Sequence, residues 1–147
     1  MGLTSQLNEA EDALKTTVAA RPALAGIPIA LGEPPSIKQE HIWTSEAAEA
    51  TQRFDVTKQA AGTGQREEKF ELGVKVYVER LGDAFQPARD RASALAEEVE
   101  AAVVNDHTLG GVVWFAEVVG IRRESGLFED NRAILMTVRV MVTHYLS

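Results

Sequence analysis

Between residues 70 and 79 apolar and polar positions alternate without a break. Phe70, Leu72, Val74, Val76 and Val78 fall on one side, and Glu71, Gly73, Lys75, Tyr77 and Glu79 on the other. That is the period of two expected of a half-buried strand. The same period returns over 132–145, where Ile134, Met136, Val138, Val140 and Val142 oppose Ala133, Leu135, Thr137, Arg139, Met141 and Thr143. Residues 112–123 predict a further strand, and there both faces begin apolar. Val112, Trp114, Ala116 and Val118 lie against Val113, Phe115 and Val119. Residues 124–131, Glu-Ser-Gly-Leu-Phe-Glu-Asp-Asn, read as the hairpin connection between these two strands.

The period lengthens in two other stretches. Leu3, Leu7, Ala10, Leu14 and Val18 form an apolar stripe with Glu9, Glu11, Asp12 and Lys15 off it. This predicts an amphipathic helix that Thr4 or Ser5 can cap and Arg21-Pro22 stops. Its acidic polar face favours packing on a sheet over lying on a membrane. Ala92, Leu95, Ala96, Val99, Ala102 and Val103 repeat at the spacing of a second helix. Asp83 with Gln86 resembles a capping box at its start, Pro87 fits only a first turn, and the helix should end near Asn105, before Gly110-Gly111.

Residues 27–31, Ile-Pro-Ile-Ala-Leu, predict a short strand, and Pro28, Pro34 and Pro35 place it at an edge or leaving the sheet. Residues 41–43 predict a second short strand. Residues 44–65 are polar and rich in small residues, with 52–57 able to pair as a strand and 58–65 as its tip. The order predicts one domain over 1–147 of the α/β (α+β) class: a mainly antiparallel sheet with both helices on one face, plus an extended β-hairpin at about 44–65. One helical layer covers one face of a sheet, so the two-faced strand around Trp114 calls for further cover, a neighbouring subunit being the simplest.

Composition narrows the chemistry. The 147 residues include no cysteine, which removes disulfides and thiolate metal sites. No apolar run approaches the ~20 residues of a membrane span, and the first residues do not read as an export signal. The formal net charge is −7, from 22 acidic and 15 basic residues. This argues against a duplex-DNA binder, which carries a basic footprint, without excluding a protein that DNA passes without adhering.

No motif indicates catalysis. His41, His107 and His144 lie far apart without paired-ligand spacing, and His107, in the helix-to-strand turn, and His144, at a strand end, read as surface or rim residues. Gly62-Thr-Gly64 lacks the Gly-Lys-Ser/Thr of a phosphate loop and reads as a hairpin tip. No serine sits in a Gly-x-Ser-x-Gly elbow. Glu67 and Glu68 are adjacent on a predicted strand and point to opposite faces, so they cannot act as an acid–base pair. Arg122-Arg123 beside Glu124 reads as a solvated or interfacial charge cluster. The reading is therefore of a protein without catalytic, cofactor or metal residues.

Three stretches together resemble the tail terminator (tail completion) family of long-tailed phages, as found in actinobacterial phages and prophages. They are Ile29-Ala-Leu-Gly-Glu-Pro-Pro35, then the run from Phe54-Asp-Val-Thr through Gly62-Thr-Gly-Gln-Arg-Glu-Glu68 into the strand at Phe70, then Asp106-His-Thr-Leu-Gly-Gly111 after its helix. The resemblance implies a virion protein, assembled in the host cytoplasm and placed at the head-proximal end of the tail. There a homo-hexameric ring caps the tail tube, ends its polymerisation and presents a surface to the head-tail connector or stopper protein, while DNA passes through. Arg66, Glu67 and Glu68 match the family's Arg-Glu-Glu and are the first choice for subunit or tube contacts. Phe54, Val56 and Trp114 join them as apolar interface candidates. Trp43 lies outside the matched stretches. The alternatives are another connector or tail-tube ring protein and, from a different class, a small cytoplasmic ligand-binding or enzyme domain.

Overall fold

The computed structural model describes residues 3–34, 39–54, 66–82, 84–128 and 131–146. Helix α1 spans Leu3–Ala19 and is followed by a single 3₁₀ turn at Pro22–Leu24. Strand β1 is Ile29–Leu31, β2 Glu40–Phe54 and β3 Arg66–Arg80. Helix α2 spans Phe85–Asn105, and strands β4 (Phe115–Phe128) and β5 (Asn131–Leu146) close the chain. The five strands form one sheet in the order β1-β2-β3-β5-β4, antiparallel throughout except for β1 beside β2.

The alternation read in β3 and β5 decides which face the helices cover. Phe70, Leu72, Val74, Val76 and Val78 stand beside Val142, Val140, Val138, Met136 and Ile134 in register, and all ten are buried. Onto this face pack Ala10, Leu14 and Val18 of α1 and Ala88, Ala92, Leu95, Ala96, Val99 and Val103 of α2. Both helices thus bury the stripes their periodicity marked, on one side of the sheet. Two charge-assisted clasps fix the helices. Arg21, just after α1, donates through Nε and Nη2 to Glu98 Oε2 of α2 at 3.0 and 2.7 Å. Arg91 of α2 grips both oxygens of Glu40 on β2 at 3.0 Å each, and Arg80 of β3 donates to the same carboxylate.

Several local expectations change. Thr4 and Ser5 lie inside α1 rather than capping it. The residue capping α2 is Ala84, which gives no side-chain hydrogen bond, and Asp83 lies outside the described residues. Residues 41–43 and 52–54 belong to one strand. Pairing with β3 shifts register between Glu46 and Ala50, where β2 carries two more residues than its partner, and continues on either side. Strand β4 starts at Phe115 and runs to Phe128, so most of the expected 124–131 connection is ladder. Val112, Val113 and Trp114 precede the strand as turn.

Candidate assembly surface

The stretch after α2 owes its shape to side chains that replace missing helical hydrogen bonds. The Asp106 N–H still donates to the Ala102 carbonyl. Its carboxylate then accepts from the Gly110 N–H at 2.9 Å and from the Thr108 hydroxyl at 3.2 Å, while the Gly111 N–H donates to Thr108 Oγ1 at 3.1 Å. Leu109, Gly110 and Gly111 all have positive φ, at 50, 74 and 86°. The two glycines adopt it at little steric cost, and Leu109 is held there by burial in the core. Asp106-His-Thr-Leu-Gly-Gly111 is therefore a specified turn. It brings the Ala116 N–H onto the His107 carbonyl at 2.7 Å and starts β4 beside the end of α2.

This arrangement leaves aromatic and aliphatic groups at the surface. Trp114 is 57% exposed and Val104 66% exposed, and Phe115 is partly exposed between Trp114 and His107, at ring-centre distances of 6.3 and 5.5 Å. A groove of about 360 Å³ runs between α2 and β4, floored by Val103, Phe115 and Val118 and rimmed by Glu100 and Glu117. The two-faced apolarity expected of this strand has a different cause from a sheet that is apolar on both sides. Val113 and Ala116 turn into the core, whereas Val112 and Trp114 belong to the turn. A bulge between Val118 and Gly120 leaves Val119 without a place in the ladder and shifts the parity beyond it. Ile121 consequently shares the helix-covered face with its partner Val138, yet remains 44% exposed because β4 is the last strand.

Among the described residues the other face of the sheet carries no helix and, Trp43 apart, presents mainly polar groups. Arg139 on β5 donates to Glu71 on β3 at 2.6 and 3.1 Å, Lys75 donates to Thr137 at 3.2 Å, and Arg122 pairs with Glu124 at 3.1 Å. Tyr77 donates to Glu79 at 2.8 Å, and burial together with that carboxylate pushes its phenol up to about 12. Gly73 and Gly120 are the register partners of Arg139; a side chain at Gly120 would meet its Nη1 at 3.3 Å, while one at Gly73 would meet Ser45 Oγ at 2.9 Å. Lys75, Arg122 and Arg139 each have an acceptor, which makes the face a lattice of paired charges rather than an anion site.

The predicted site residues separate into two places. Arg66, Glu67 and Glu68 open β3, with Phe54, Arg53 and Gln52 opposite them on β2 and Leu146, Tyr145 and His144 opposite on β5. Phe54 and Arg66 are thus direct register partners at one end of the sheet. Trp114 lies near the same end, at the start of the β4 edge. Val56 lies outside the described residues. Trp43, left without a role by the sequence, is buried on the side of β2 away from the core and meets His41 edge-on at 6.0 Å, so both pack. Val119 belongs to the two-faced apolar stretch read in the sequence, whereas the exposed Val104 and Ile121 carry no signal of their own. A surface apolar residue in α2 or β4 looks in sequence like a core one.

Among the described residues no cluster of His, Asp and Glu has the arrangement of a metal site, and no helix is long and apolar enough to cross a membrane. By sequence, the chain matches no protein-family model and none of the curated proteins compared. Among solved structures it is similar in fold to a chain from the virion of a native gene transfer agent particle. The two share 17% identity over 95% of this chain and 98% of that one, with a TM-score of 0.57. A second solved chain, at 16% identity and a TM-score of 0.49, covers 96% of both. At such identities the likeness is one of fold: an α+β domain with two helices on a mostly antiparallel five-stranded sheet.

Proposed function

We propose that this chain is a structural protein of a phage-like virion, a ring subunit that caps the tail tube. In this reading it ends tube polymerisation and offers the surface on which the head connector docks. The observation that carries the reading is the fold likeness to a gene transfer agent virion chain, which extends over nearly the full length of both chains. The three motif stretches, in their order along the sequence, favour a tail terminator over other rings of the particle. The specified Asp106–Gly111 turn and the exposed aromatic edge it starts are surfaces suited to assembly. The partners are further copies of the chain as a hexamer, the tail tube protein, and a connector or stopper protein. DNA crosses the ring without specific contacts, consistent with the negative net charge.

Arg66, Glu67 and Glu68 belong in this reading to a contact with a neighbouring subunit or the tube, together with Phe54 at their register level. Arg66→Ala should weaken the ring and leave the monomer folded; an assembled ring of unchanged stability removes Arg66 from the contact. The function itself is tested by electron microscopy of lysates lacking the protein. Tubes of uncontrolled length and unjoined heads are expected. Uniform tails already joined to heads would sink the tail-terminator reading.

A further inference from the structure

Charge is distributed unevenly over the surfaces of this domain. The helical layer exposes Glu9, Asp12, Glu97 and Glu100, and the open sheet face carries its ion-paired lattice. The two sheet edges differ from both. Residues 22–32, which hold the 3₁₀ turn and β1, contain no charged residue, and Ala23, Ala25 and Leu31 are exposed. On the opposite edge, residues 110–121 carry a single charge, Glu117, while Trp114, Phe115, Val119 and Ile121 are exposed. Two copies of a chain with net charge −7 repel if they meet through their acidic helical layers. Meeting through the edges removes apolar surface from water and keeps the acidic layers apart, the charges of the β4 edge next to Ile121 being the basic Arg122 and Arg123.

Strand direction and register fit the same contact. Strand β1 runs parallel to β2, and each of the three steps from β2 to β4 is antiparallel, so β4 runs opposite to β1. A second copy set beside β4 in the same orientation therefore offers its β1 as an antiparallel neighbour. Followed across the sheet, Leu31 pairs with Thr44, Thr44 with Val74, Val74 with Val138, and Val138 with Ile121. Leu31 and Ile121 thus occupy one level of the sheet at its two edges, and both are exposed, at 47% and 44%. Pro28 and Pro34 flank β1 and keep any added ladder short.

We infer that the β4 edge of one copy joins the β1 edge of a second copy head to tail, with Ile121 against Leu31. The two patches differ and lie on opposite edges, so each contact leaves one of each kind free, and the contact repeats until it closes. The inference deepens the ring reading given above and rests on it for closure.

The chain has no cysteine, so introduced thiols report only the designed contact. Residues opposite each other in antiparallel strands have Cα atoms about 4.5–5.5 Å apart, within reach of a disulfide. Oxidation of Leu31→Cys/Ile121→Cys should give a ladder of covalent multimers in steps of 16.0 kDa. An equal mixture of the two single variants should stop at two chains, and either single variant alone should match an Ala94→Cys control on the exposed face of α2. Ile121→Asp should weaken association at least about tenfold with an unchanged circular dichroism spectrum. Self-linking of Ile121→Cys at the mixture's level overturns the inference in favour of a two-fold β4 contact. No ladder from a preparation that light scattering shows to be a ring overturns it while leaving the ring reading intact, and a monomer without a ladder at the highest soluble concentration also overturns it. A ladder together with normal tails in lysates lacking the protein keeps the edge contact and rejects the tail-capping role.

Discussion

Strands β3 and β5 present two faces built on the same backbone and held by different physics. The helix-covered face is an unbroken aliphatic surface from Phe70 and Val142 at one end to Val78 and Ile134 at the other. The open face, one residue out of phase, holds Glu71, Lys75, Arg139 and Thr137 in cross-strand pairs. Burial of apolar area stabilises the first face and depends on fit, since an interior is close-packed and responds to each lost methylene. Ion pairs at the surface of the second are screened by water and add little. The domain's stability should therefore reside on one side of its sheet, leaving the other face and the edges for contacts.

Opening the covered face should have the largest effect. Leu72→Ala removes a fully buried side chain between the sheet and its helices and should cost about 3 kcal/mol in equilibrium denaturation. A loss under about 1 kcal/mol would show that the core is loosely packed.

Next comes the charged margin of the same face. Arg91→Ala should cost about 1 kcal/mol, discounted for the partial exposure of the clasp. Hydrogen bonding from Arg91, opposed by burial and aided by Arg80, holds the Glu40 carboxyl below its ordinary value of 4.5. A depressed carboxyl contributes stability that is present above its unfolded pKa and lost as pH falls through the folded one. The difference between wild type and Arg91→Ala should accordingly close as pH is lowered below 4.5. A difference that persists unchanged in acid would remove Glu40 as its source.

A smaller effect tests the buried polar group on the covered face. Thr44 is 1% exposed, and its hydroxyl donates to Glu11 of α1 at 3.3 Å. Thr44→Val keeps the shape and loses one long hydrogen bond, so a change within about 1 kcal/mol is expected. A larger loss would mean that α1 is positioned mainly by this contact. Smallest of all is Arg139→Ala on the open face, which should leave the denaturation midpoint where it was. A clear fall there would show the charge lattice to be structural in a way surface pairs seldom are.

Much of this architecture was legible because periodicity and burial share a cause. The alternation in β3 and β5, the two helical stripes, the edge position of β1 between its prolines, and the helices' shared face all follow from which residues must leave water. The motif at Asp106 was readable as a turn, while the hydrogen bonds that specify it required the fold. Strand β2 reads in pieces because Ser45-Glu-Ala-Ala-Glu-Ala50 has weak strand propensity, and the fold joins the pieces by pairing with β3 on both sides of a register shift.

The covered face, the class of fold and the absence of thiol chemistry depend on composition or on spacing along the chain, and so can be read from it directly. The remaining features arise from contacts between distant segments. The bulge at Val119 shifts parity through a change in pairing that leaves no local mark, and sheet order puts β1 and β4 at opposite edges through contacts distant in sequence. These two facts expose Ile121 and align it with Leu31. Strict alternation from Ala116 would instead have put Ile121 on the open face.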